Sequence, residues 1–212
     1  MAEAGADFRA QRSAGMVAIG AGMVVALVVW FGIDRGLPPL GAMADLAARM
    51  VLTLKCFVLA VLFALVLGVE AVAHERLVSP AFDPLAGHET RRLRVNKQYL
   101  QNTLEQTVVF AAAIFGLAVY CPDGAAMRAV VATTAVWILG RWAFWIGYHR
   151  SAAMRGLGAP GMAASMIALI YVAARVGADV AGAAGALAVV FLFLAGEGVL
   201  VWTTRTRSPA AD

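Results

Sequence analysis

Two sets of polar residues recur at helical spacing inside stretches that are otherwise apolar. The first is Arg94, Gln98, Asn102 and Glu105, which steps of three and four residues bring to one side of a helix. The second is Arg141, Phe144, Tyr148, Ser151 and Arg155, with Arg150 beside the last pair. Side chains of these types bind anions. Arginine presents a planar fork of donors that matches a carboxylate, and a cation beside a thiol lowers its pKa. Turned toward each other, the two rows would line a recess for a small polar anion with two carboxylates, entered past the arginines at one end.

Glu105 and Arg141 are the charges that most need explaining. At about 1.5 Å per residue, both lie roughly 16–21 Å from the arginine-rich end of their helices. A charge at mid-bilayer costs roughly 2.5–3.5 kcal/mol on insertion scales unless it is paired or meets water. An ion pair between them is the expectation. The competing account is purely structural: a buried pair can simply be tolerated, and edge arginines can serve topology or lipid phosphates. Glu197, between Gly196 and Gly198, has no evident partner.

The elements that must hold these residues are membrane helices. The chain has 212 residues, of which 62% are hydrophobic and only 14% charged. A soluble domain would carry about 25% charged residues. The composition describes an all-α integral membrane protein. Six apolar runs are predicted, at about 14–33, 50–73, 91–120, 125–153, 161–176 and 186–203, after a polar tail at 1–13 and before another at 205–212. Cys121-Pro122-Asp123-Gly124 demands a tight antiparallel return between the third and fourth, and Gly156-Leu157-Gly158-Ala159-Pro160 stops the fourth. The link 177–185 is glycine-rich. A cleaved leader is the minor reading of the first run.

Most basic residues outside the runs, among them Arg76, Arg91, Arg92, Arg94, Lys97, Arg150 and Arg155, fall on one side. The positive-inside rule then sets both termini in the cytoplasm, in a bacterial inner membrane. The net charge of +4 is thus topological and does not call for nucleic acid. Cys56 and Cys121 read as buried small residues, and His74, His88 and His149 lack metal-ligand spacing, so no metal is expected.

Two motifs carry a resemblance. Asn102-Thr103-Leu104-Glu105, preceded by basic residues, resembles the Asn-x-x-Glu of the second helix in the MAPEG superfamily, the membrane-associated proteins of eicosanoid and glutathione metabolism. Arg141 followed by Tyr148, Arg150-Ser151 and Arg155 is similar to the third-helix pattern of its leukotriene-synthase-like branch. The resemblance implies a four-helix bundle core over 50–176, with an additional transmembrane helix at each end (14–49 and 177–204) to make six spans. It implies a homotrimer with glutathione bound between subunits. It also implies that Arg94, Gln98, Asn102, Glu105, Arg141, Tyr148, Arg150 and Ser151 bind glutathione and that Arg155 stabilises its thiolate. The expected activity is glutathione-dependent transfer or peroxide reduction on a lipophilic small molecule arriving from membrane lipid. Where enzymatic members carry an arginine four residues before the Asn, this chain has Gln98, and Phe144 stands where others have His or Tyr. Those departures support the alternative of a non-enzymatic lipid-binding or scaffold member. A small transporter using Glu105, Arg141 and Glu197 is the third reading, disfavoured by the lack of an internal repeat.

Overall fold

The computed structural model describes the fold of residues 2–206 and the side chains of residues 9–204. Five long helices follow one another: α1 (Ala2–Gly36), α2 (Leu46–Leu77), α3 (Arg91–Tyr120), α4 (Arg128–Arg150) and α5 (Ala159–Thr206). Short 3-10 turns occur at Pro80–Phe82 and Met154–Gly158. All five helices are long and apolar enough to cross a membrane, and this is a membrane protein. The chain forms two compact units, one ending at Ala168 and one beginning at Leu169.

Local chemistry sets the ends of α3 as expected. Thr90 is extended, and its hydroxyl accepts the backbone N–H of Leu93 at 3.0 Å. At the far end Pro122 cannot continue the helix, and the Asp123 carboxylate instead accepts from the Ala126 N–H at 2.8 Å. That turn delays α4 to Arg128, three residues later than predicted. Ser151 ends α4 in an extended conformation (φ −160°, ψ 162°), and its hydroxyl accepts from the Met154 N–H at 3.2 Å. The Arg91 guanidinium covers the last carbonyls of α4, donating to His149 O at 3.0 Å and Tyr148 O at 3.4 Å. A cation at a helix C-terminus is favourable for the helix dipole as well.

The core of the first unit lies between α2, α3 and α4. Tyr99, Phe110, Ile114, Val130 and Trp137 are fully buried there, and Phe110 stacks on Trp137 with centroids 4.5 Å apart. Helix α2 contains a π-helical segment, Val61–Val66. Its wider turn loosens the regular hydrogen-bond ladder, and two side chains reach carbonyls there. The Tyr99 hydroxyl donates to Ala64 O at 2.9 Å, and the Trp142 indole donates to Phe63 O at 2.6 Å. Helix α1 starts at Ala2, ahead of the predicted 14, and packs on α4 and on the Met154–Gly158 turn. At the opposite end, the Leu40 N–H donates to Gly124 O at 3.1 Å and Arg128 donates to Leu37 O at 3.0 Å.

The last two predicted runs form one helical element with a break at Ala181 (φ −139°, ψ 26°) and Gly182 (φ 59°, ψ −147°). Gly182 takes the left-handed value that glycine adopts without cost. Gly177 and Gly185 then sit back to back: a Cβ on Gly177 would lie 2.5 Å from Gly185 O. Alanine-rich sequence keeps helical hydrogen bonding up to the break, which is why no loop separates the runs. Within the second unit Glu197 is exposed, and nothing in the structure explains it. The expected polar tail lies, from residue 207 on, outside the described residues.

Candidate functional site

The polar centre of the first unit is Arg141. It is 1% exposed and sits midway along α4. Its Nη1 donates to Asn102 Oδ1 on α3 at 2.8 Å, and its Nη2 donates to Gly158 O at 3.3 Å. A guanidinium carries no acceptor, so Asn102 must turn its oxygen toward it. The same oxygen accepts from Gln106 Nε2 at 3.1 Å, one helical turn along. The Gly158 carbonyl comes within reach because three glycines meet there. A Cβ on Gly140 would lie 2.8 Å from the Gly161 Cα, and one on Gly158 would lie 2.5 Å from Gly140 O.

Two buried polar atoms in this cluster have no hydrogen-bond partner, Arg141 Nε and Gln106 Oε1. Such groups cost about 1–3 kcal/mol each when left unsatisfied, and they are where a ligand or water is expected.

A ladder of rings leads from Arg141 to the arginine-rich end. The Arg141 guanidinium lies 5.1 Å from the Phe144 ring centroid, Phe144 lies 5.7 Å from Tyr148, and Arg155 lies 5.7 Å from the Tyr148 ring. Tyr99 backs the ladder, stacked on Trp145 at 5.1 Å. By way of Phe144, the residues Asn102, Arg141, Tyr148 and Arg155 form one connected track of contacts. Contacts of this kind are attractive because the ring face is negative.

The expected Glu105–Arg141 ion pair is corrected. Ion pairs among the described residues join Glu70 to His74, Glu75 to Arg92 and Glu89 to Lys97, and Glu105 enters none of them. Its carboxylate accepts from Gln101 Nε2 at 3.2 Å on the exposed flank of α3. The heights of the two residues match, but their directions do not. Asn102, three residues earlier, takes the position facing α4. Gln98 and Arg94 share the exposed flank, and Arg94 donates to Glu89 O at 3.2 Å. Arg150 and Arg155 are exposed, and the Ser151 hydroxyl is spent on its turn. The sequence-predicted residues thus divide between the buried Arg141 with its half-buried partner Asn102, a half-buried Tyr148 and Ser151, and an open flank on the surface of the chain.

A second polar cluster was not foreseen. Asn96 is 2% exposed; its Nδ2 donates to Ala71 O at 3.0 Å, and its Oδ1 receives Trp145 Nε1 and His149 Nε2, each at 2.9 Å. Since Asn96 offers an oxygen there, the imidazole carries its proton on Nε2. Nearby, Glu75 of α2 accepts from the Thr90 hydroxyl at 2.9 Å and pairs with Arg92 at 3.2 Å. The available signal was register, since Asn96, Tyr99, Thr103 and Thr107 share the buried side of α3. Outside the spans, the Lys97 ammonium holds the Glu89 carboxyl below the usual carboxylate range, while burial pushes the Cys121 thiol up. Cys56 and Cys121 are both free.

Comparison with known proteins gives one family model that matches, described as the MAPEG family, over residues 50–178. No curated protein and no solved structure matches. The matched stretch covers α2, α3, α4 and the first part of α5, and so contains the Asn102–Arg141 contact, the ring ladder and Arg155. With more than half its length accounted for in this way, the chain belongs to the MAPEG family.

Proposed function

We propose that the protein is a membrane-embedded glutathione-dependent transferase or peroxidase acting on a lipophilic electrophile. The observation that carries this reading is the Asn102–Arg141 contact, with Arg141 buried and its Nε left without a partner. An arginine kept charged in a low-dielectric position, held by an amide and a carbonyl, is a prepared receptor for a carboxylate. Asn102, Arg141 and Tyr148 bind glutathione from one side. Gln98, Glu105 and Arg94 on the open flank complete the grip once a neighbouring subunit of a homotrimer covers them. Arg155, on the Tyr148 ring at the arginine-rich end, stabilises the thiolate, Ser151 holds the turn that positions it, and Arg150 beside it adds positive charge for the anion.

In the reaction the thiol proton leaves to water at that end. The sulfur then forms its bond to the electrophilic carbon as the leaving group departs with the bonding electron pair. The electrophile reaches the sulfur from the hydrocarbon, with both chain termini in the cytoplasm and the broken α5 crossing twice to give six spans.

The test is calorimetric titration of purified protein with glutathione, together with conjugation of a chlorodinitrobenzene. Binding and turnover in the parent, with turnover lost in Arg155→Ala, is the expected result. Absence of both in the parent would end this reading. One observation favours a second reading: Gln98 is exposed and uncharged where a basic residue would complete an anion site. A non-enzymatic lipid-binding member would copurify with lipid, ignore glutathione, and be indifferent to Arg155→Ala.

A further inference from the structure

We propose that a bay between α1 and α4 is a binding site for the hydrocarbon tail of a membrane phospholipid. Small residues create it. On α1, Gly15, Ala18, Gly22 and Ala26 recur at steps of three and four, the spacing that lets helices approach closely in lipid. The approach is complete at Gly22, where a Cβ would fall 2.6 Å from Leu157 O. One turn further, Ala26 shares the bay with Gly140 and Ala143 of α4, and no larger side chain fills the space between them. About 230 Å³ is left.

The bay is about half open. The Gly22–Leu157 contact closes one end. Beyond Val29, at the other end, the Trp30 indole donates to the Thr133 hydroxyl at 3.1 Å and ties α1 to α4. Val25, Val29 and Leu139 complete apolar walls that offer no polar side chain. Water would find no hydrogen-bond partners there, and a dry void forfeits the contacts of every lining atom. The bay lies in the middle of the Arg9–Gly36 span, where the medium is acyl chain. From Gly22 to Val29 it extends about 10 Å, room for the end of a tail and not for a headgroup.

This site is independent of the glutathione reading. The glycine seam of Gly140, Gly158 and Gly161 stands between the bay and the Arg141 guanidinium. Helix α1 also precedes the family-matched residues 50–178, so one wall of the bay lies outside the family match and the other within it.

The experiment uses the full chain in phosphatidylcholine nanodiscs doped with phosphatidylcholine carrying a diazirine near the end of one acyl chain. After irradiation, adducts are mapped by peptide mass spectrometry. Labelling at Val29 and Leu139 should exceed that at Val58 and Leu62, which are exposed residues of α2, by about tenfold, and should saturate with probe. Ala26→Trp fills the bay and should abolish the excess at Leu139 while leaving Val58 unchanged. Ala143→Leu narrows the bay from the opposite wall and serves if the first variant does not fold. Equal labelling of the two regions, or an excess that survives in a folded filled variant, overturns the proposal.

Discussion

Asn96 and Asn102 lie less than two turns apart on the same helix and do opposite things. Asn96 is closed: its amide NH2 and oxygen are taken by Ala71, Trp145 and His149, each in hydrogen-bond range. Asn102 is open: its oxygen holds Arg141 and Gln106, while Arg141 Nε and Gln106 Oε1 remain unsatisfied. A satisfied buried network fixes α2, α3 and α4 against one another. An unsatisfied one retains free energy that a bound molecule can release. The polar residue that stabilises and the polar residue that recognises are told apart by what is left over.

That contrast predicts separable losses. The largest is in stability: Asn96→Ala strands the Ala71 carbonyl, the Trp145 indole and the His149 ring, and should cost about 3–5 kcal/mol. The measurement is thermal unfolding in detergent, and an unchanged transition would break the comparison. Next comes Arg141→Met, which should weaken glutathione binding by roughly 1.5–3 kcal/mol, about ten- to hundredfold. Its unfolding temperature should move little, because an apolar residue replaces a charge that was costly to bury. If Arg141→Met instead unfolds the protein and binding per folded molecule is unaltered, the open cluster is structural after all. Tyr99→Phe removes the hydroxyl that serves the Ala64 carbonyl and should cost about 1 kcal/mol, with binding intact.

The smallest effect is one of pH. Glu89 has its carboxyl pKa lowered by Lys97. Its contribution is present above the usual carboxylate pKa and disappears as pH falls through the lowered folded value. Acid melting curves of the parent and Lys97→Met should therefore differ at neutral pH and converge in acid. A gap between them that persists at low pH would remove Glu89 from the account.

Much of the fold was legible because its signals are local. Thr90 and Pro122 mark the ends of α3, and the Asn102–Arg141 neighbourhood followed from two motifs on helices joined by a short turn. Glu105 misled for a definite reason. Height along a helix can be counted from sequence at about 1.5 Å per residue. Rotation about its axis depends on which neighbour the helix packs against, and Asn102 rather than Glu105 took that direction. Asn96 was overlooked because the arginines around it made the whole segment look like a water-facing edge. The Ala181–Gly182 break was placed correctly within the glycine-rich link, but the helix on either side reached further than glycine content suggested.

The π-helical segment of α2 acts on the numbering of faces. Cys56, Ala60, Ala64 and Gly68 are all buried and recur strictly every fourth residue. An ordinary α-helix would let such a series drift by about 40° at each step; the broader winding at Val61–Val66 corrects it midway. Six residues in that wider winding sweep about the angle of five in an α-helix, so excising one from it would leave a regular rod whose two halves keep their faces. The same excision made in the α-helical turn between Cys56 and Val61 would instead rotate the upstream half by about 100° and aim Thr53 and Cys56 at lipid, so α2 tolerates a lost residue in one place and not in the next.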